Sequence, residues 1–180
     1  MNEERDGHRD EFLRALGWVA LQGGMLEEAL VDLYWAAKGL EEQALIKEVR
    51  DLTLGGLKKR VMDALHQWSS EPELQARAQA LSPKLDEAVR LRNEHIHAGW
   101  VFGANHVERN RHPRGGVVRG EHMEMTVQDV EQVGDVIGDT AEEVWELYDE
   151  VVERAPRLPP RYGIVLTDGT YLPCSGKSAP

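Results

Sequence analysis

The chain has 180 residues, 41% hydrophobic and 29% charged, with a formal net charge of −11. That length suits one domain, which buries roughly 70% of the surface its unfolded chain exposes, and no apolar run reaches the roughly 20 residues of a membrane span. A single cysteine, Cys174, excludes an internal disulfide and a thiolate zinc site, and the excess of acid means that a nucleic-acid ligand would need a local basic surface.

The first residues, MNEERDGHRDEF, are acidic and polar. They read as no secretory leader, so a cytoplasmic location is expected. From about Asp10 to Lys38, Phe12, Leu16, Val19, Gly23, Leu26, Leu30, Leu33 and Ala37 recur at steps of three and four. This is one face of an amphipathic helix, and Gly39 should end it. Gly23 stands in the centre of the apolar arc, where glycine costs about 1 kcal/mol against alanine. It predicts either the close approach of another backbone or a local kink. A short turn around Glu41 to Glu48 leads into a helix over Leu54 to Trp68, with Leu57, Val61, Met62, Leu65 and Trp68 facing inward. Glu71-Pro72 opens a short helix to Ala80. Ser82-Pro83, a capping residue followed by proline, starts a separate helix to about His97, ended by Ala98-Gly99.

The pattern then changes. Trp100 to Glu108 and Gly116 to Met125 alternate partially and read as two strands, joined by the turn-rich RNRHPRG. They predict a β-hairpin over about 100–125. Thr126 caps a last long helix to about Arg154, with Val127, Val130, Val133, Ile137, Val144, Leu147 and Val151 inward. The linker APRLPPR follows, then an Asp168-Gly169 turn between two short apolar runs, the signal of a small hairpin. The final CSGKSAP is expected to lack order. The predicted fold is all-α: a bundle of four to five helices spanning 1–155, with an inserted hairpin and a short C-terminal β appendage within 156–180.

The chemistry-bearing residues gather in LRNEHIHAGW, Leu91 to Trp100. On a wheel of about 100° per residue, Arg92 shares an arc with Leu81, Leu85, Ala88, Val89 and Ile96. A charge there needs a partner. Glu27, at the edge of the first helix's apolar arc, is the candidate; the alternative is that both charges reach solvent. Asn93 and His97 lie together beside the arc. His95 lies at its other edge, where packing is the plainer reading. His95 and His97 form H-x-H, and His106, His112 and His122 follow. On a helix such a pair diverges by about 200°, and no H-E-x-x-H accompanies it, so no metal site is assigned.

RNEHIH, Arg92 to His97, resembles the signature of HEPN domains: an arginine, a polar residue that is often asparagine, and a histidine after four to six intervening residues. The following AGW is similar to the small-glycine-aromatic ending of such motifs. The resemblance covers roughly Asp10 to Arg154. It implies a homodimer in which the two motif helices meet across a cleft, each subunit giving one arginine and one histidine. Many members are metal-independent ribonucleases, often toxins or defence proteins. Others bind nucleotides or partner proteins without catalysis, and some toxins pair with a nucleotidyltransferase antitoxin. The implied roles are His97 as catalytic histidine, Arg92 on phosphate and Asn93 as an orienting group, without a cofactor. These residue types suit RNA cleavage by the 2′-hydroxyl: histidine can act as base or acid near neutral pH, and arginine grips phosphate oxygens. His95 is left as a supporting residue. Arg109, Arg111, Arg114 and Arg119, in a stretch without acids, are the expected RNA contacts; the bland alternative is a solvated turn.

Overall fold

The computed structural model describes residues 2–68, 71–102, 107–111, 121–155, 163–165 and 171–173, with side chains described for 7–68, 71–102, 107–109 and 123–155. Five helices, α1 (Asn2–Lys38), α2 (Glu42–Val49), α3 (Leu54–Trp68), α4 (Pro72–Ile96) and α5 (Val127–Arg154), carry the fold. Between α4 and α5 lie β1 (Gly99–Phe102), β2 (Val107–Arg111) and β3 (Glu121–Met125). The chain is an all-α bundle with a small antiparallel insert. A separate two-stranded pair, β4 (Gly163–Val165) and β5 (Tyr171–Pro173), forms the C-terminal β appendage. Among the described residues, no helix is long and apolar enough to cross a membrane.

The four long helices close into a ring: α1 packs on α5, α5 on α4, α4 on α3 and α3 on α1. The apolar stripes meet at its centre, where Phe12, Leu26, Leu30, Val61, Leu85, Ile137 and Leu147 are 0–1% exposed. The stripes thus do most to fix the helix arrangement, since burying one such side chain is worth about 1.5–3 kcal/mol. Trp18 lies over Gly134 and Gln22 over Gly138, one turn further on in both helices. So α1 and α5 run in the same direction, in close contact through two positions that lack side chains. Polar pairs fix the other neighbours: Lys58 on α3 meets Asp86 on α4 at 2.5 Å, and Lys84 on α4 meets Glu143 on α5 at 2.5 Å. The Tyr34 hydroxyl donates to Glu48 and ties α1 to α2. Burial, with that carboxylate beside it, pushes the Tyr34 pKa up to about 12.

Local signals end these helices where their chemistry requires. Gly39 takes the left-handed conformation, φ 61°, that stops α1. Thr126 and Asp129 form a reciprocal capping box at the start of α5: the Asp129 N–H reaches Thr126 Oγ1 at 3.1 Å, and Asp129 Oδ2 accepts from the Thr126 N–H at 2.8 Å.

Two expectations are corrected. Residues 72–96 form one helix, with Pro83 inside it, instead of a short helix followed by a second one. Proline in a helix interior costs about 3 kcal/mol. Leu74, Ala78, Leu81, Leu85 and Ala88 form an unbroken buried stripe through it, and the continuous burial outweighs that cost. The insert has three strands, ordered β1-β2-β3, instead of two. Asn110 and Arg111, expected in the turn, pair with His122 and Glu121 as part of β2. The sheet is held to the bundle by aromatic contact: Phe12 of α1 meets Trp100 at 5.0 Å and Phe102 at 5.7 Å between ring centroids.

Candidate functional site

Arg92 sits near the end of α4 and its aliphatic stem lies against Gly23 of α1. A Cβ built on Gly23 would be 2.9 Å from Arg92 Cγ. The glycine therefore makes room for a side chain, not for another backbone, and α1 runs through it without interruption. The half-buried guanidinium turns back along its own helix. Its Nη1 donates to Asn93 Oδ1 at 3.1 Å and approaches His97 Nε2 at 3.4 Å. A guanidinium only donates, so a hydrogen bond between the two has His97 Nε2 as its acceptor. His97 caps α4, its N–H bonded to the Asn93 carbonyl, and the residue is exposed. Three sequence-predicted residues, Arg92, Asn93 and His97, are thus brought together at one helix end.

They line a cleft of about 570 Å³ with Glu27 of α1 and with Thr53 and Gly55 at the start of α3. Thr53 caps α3: its Oγ1 accepts the Gly56 N–H at 3.2 Å and its carbonyl the Leu57 N–H at 2.8 Å. The positive end of the α3 dipole thereby joins the guanidinium on the cleft wall, an arrangement that favours an anion. Glu27 and Glu94 add negative charge to the same walls. The expected Glu27–Arg92 ion pair is not formed among the described residues. Glu27 is exposed at the cleft edge, and Arg92 spends its reach on Asn93 and His97.

His95, two residues before His97, points the other way and is 2% exposed. Its Nδ1 donates to the Leu91 carbonyl at 2.8 Å, and its Nε2 accepts from Arg109 Nη1 at 3.2 Å. Both ring nitrogens are satisfied in the neutral form, and burial holds its pKa below the usual imidazole value. Trp100 stands beside it at 5.9 Å and donates its indole N–H to the His95 carbonyl at 3.1 Å. His95 is a structural residue behind the cleft.

Arg109 corrects the expected set of RNA contacts. It belongs to β2, is 8% exposed and faces the bundle with Val107, two positions away on the same side of the strand. Its guanidinium meets His95, Glu94 at 3.7 Å and the Met123 sulfur at 3.6 Å. Glu94 also pairs with Arg90 at 2.7 Å. Such a buried charge is held by its partners and does not face a phosphate backbone. Arg111 lies at the end of β2, its side chain outside the description, and Arg114 and Arg119 lie outside the described residues. Among the described residues, no group of three His, Cys, Asp or Glu side chains could hold a metal ion; His106 and His112 fall outside the described residues, and the His122 side chain is not described.

Sequence reasoning missed the contribution of Thr53 and Gly55, and the network behind His95. The first has a local signal, a capping threonine before Leu54-Gly55-Gly56; the second joins residues far apart in the chain and has none. No known family model matches the chain, and neither a curated protein nor a solved structure matches it.

Proposed function

We propose that the chain is a HEPN-type endoribonuclease that cleaves RNA without a metal ion, in the cytoplasm. The observation that carries this reading is the convergence of the Arg92 guanidinium and the His97 imidazole within one open cleft. His97 takes the proton of the attacking 2′-hydroxyl, Arg92 neutralises charge on the phosphate, and Asn93 holds Arg92 in place. The bond from phosphorus to the 5′-oxygen breaks as the 2′-oxygen attacks. It leaves a cyclic phosphate on one fragment and a hydroxyl on the other. The leaving oxygen needs an acid, which a second copy presenting its own His97 to the same strand would supply. A role as the toxin partner of an antitoxin protein fits this activity.

The test is incubation of the purified chain with single-stranded RNA in excess chelator. Cleavage to cyclic-phosphate ends, absent with a 2′-deoxy substrate, is expected. Uncut RNA with and without divalent ions would overturn the proposal. One observation favours a second reading, a noncatalytic nucleotide-binding or protein-interaction domain: Glu27 and Glu94 stand on the same walls as Arg92, and their charge opposes a polyanion more than it opposes a single small ligand. Nucleotide binding without cleavage would select that reading.

A further inference from the structure

Two carboxylates stand on the walls of the cleft, in different settings. Glu94 is spent on cations: its carboxylate meets Arg90 at 2.7 Å and Arg109 at 3.7 Å, and its side chain is 9% exposed. Glu27 is exposed, and among the described residues it meets no donor. It stands one helical turn, about 6 Å along α1, after Gly23, the residue against which the Arg92 stem is packed. A guanidinium and an acceptor that do not pair with each other therefore open into one space of about 570 Å³, the size of a small-ligand site.

We infer that Glu27 selects the base of the bound nucleotide, and that the base is guanine. The inference rests on the phosphate-binding role proposed above for Arg92. An ionised carboxylate only accepts hydrogen bonds, and its two oxygens take a pair of parallel donors. Guanine alone among the four RNA bases offers such a pair, N1–H and the 2-amino group, side by side on its Watson–Crick edge. Adenine and cytosine set one donor beside an acceptor, and uracil sets its N–H between two acceptors. Each of these leaves one carboxylate oxygen without a donor. In single-stranded RNA this edge is unpaired and open to be read. Leu52, half-buried on the same wall, gives apolar surface to the face of the ring. The carboxylate that opposes a phosphate chain in general thus favours one base on it in particular.

Two measurements on the full chain test it: cleavage of oligoribonucleotides that differ only in the base beside the scissile phosphate, and calorimetric binding of guanosine and adenosine 5′-monophosphate. Guanine should be preferred to adenine by roughly 10- to 100-fold in either. Inosine, which lacks the 2-amino group, should fall between them. Glu27→Gln replaces one acceptor oxygen by a donor, so it should bring the guanine-to-adenine ratio close to one, with the helical circular dichroism kept. Equal cleavage at all four bases, or a preference that survives Glu27→Gln, would overturn the inference and leave the nuclease reading standing. Uncut RNA with a Glu27-dependent preference for guanosine monophosphate would do the reverse. Uncut RNA with equal binding of both nucleotides would overturn both.

Discussion

The two flanks of the last turns of α4 contain the same side-chain chemistry in opposite settings. On one flank His97 stands exposed beside Arg92 at the mouth of a cleft. On the other, His95 is 2% exposed beside Arg109. In both, an arginine Nη1 approaches an imidazole Nε2, at 3.4 Å and 3.2 Å. The difference lies in the remaining ring nitrogen and in solvent. His95 Nδ1 is committed to a backbone carbonyl and the ring is enclosed, so it packs and holds the insert. His97 lies open to solvent. Residue type alone does not distinguish an exposed histidine from a structural one; the helix face does.

The largest effect expected from breaking this contrast is on cleavage. His97→Ala should lower the rate by about 10² to 10⁴, the usual contribution of positioned proton transfer, while changing stability by no more than about 0.5 kcal/mol, as for other surface sites. RNA cleavage assays paired with thermal melts read both. Arg92→Ala should also abolish cleavage. His95→Ala reverses the pattern: it empties a buried site and takes a partner from Arg109, so it should cost about 2–4 kcal/mol in denaturant unfolding. If His95→Ala lost activity with full stability while His97→Ala kept activity, the two flanks would have been assigned the wrong way round.

Gly23→Ala sharpens the contrast on the cleft side alone. Alanine favours the helix by about 1 kcal/mol, yet its Cβ would press on Arg92 Cγ. Melting temperature should hold or rise while cleavage falls by up to about 10²-fold, the penalty for a reacting group displaced by about an ångström. An unchanged rate would show that the Arg92 stem can move without moving its head group.

The pH response separates the two histidines more gently. Burial disfavours the imidazolium of His95, so its folded pKa lies below the ordinary imidazole value of 6.5, and the unfolded chain titrates near that value. Between the two, the unfolded state binds more protons, and stability falls as pH drops below about 6.5. His95→Gln should flatten this part of the stability curve, as measured by denaturant midpoints across the range. The smallest effect belongs to the arginines beyond the helix. Arg111→Ser with Arg114→Ser should weaken RNA binding and flatten its salt dependence, by up to about 0.7 in log–log slope for each phosphate no longer neutralised. An unchanged slope would leave that segment as a surface turn.

The helix faces are legible because spacing at three and four residues is a local property, and so is the company of Arg92, Asn93 and His97 at one helix end. Pro83 misleads because proline after serine is a strong local start signal, although the stripe from Leu74 to Ala88 runs through it. Gly23 announces a close approach, but nothing nearby in the chain names Arg92 as what fills the space. Arg109 reads as a loop charge because an arginine rarely faces inward on a strand. Its partners, His95 and Glu94, lie on another element, and only the folded chain brings them to it.

Pro83 has a further consequence, in time and not in space. It has no N–H to give the carbonyl of Gln79, so α4 contains one missing rung. On the far side, the segment to Ile96 is held by Asp86 to Lys58, by Val89 against Gly55 and by Arg92 against Gly23. On the near side, Glu71 pairs with Arg154 and Arg77 with Glu146 and Glu150 at exposed or half-exposed positions, and Gln75 donates to the Leu65 carbonyl at 3.1 Å. Local opening should follow that division. Amide hydrogens of residues 74–82 should exchange sooner than those of 85–96, so that the first half of the helix can breathe while the end bearing the arginine and histidine keeps its shape.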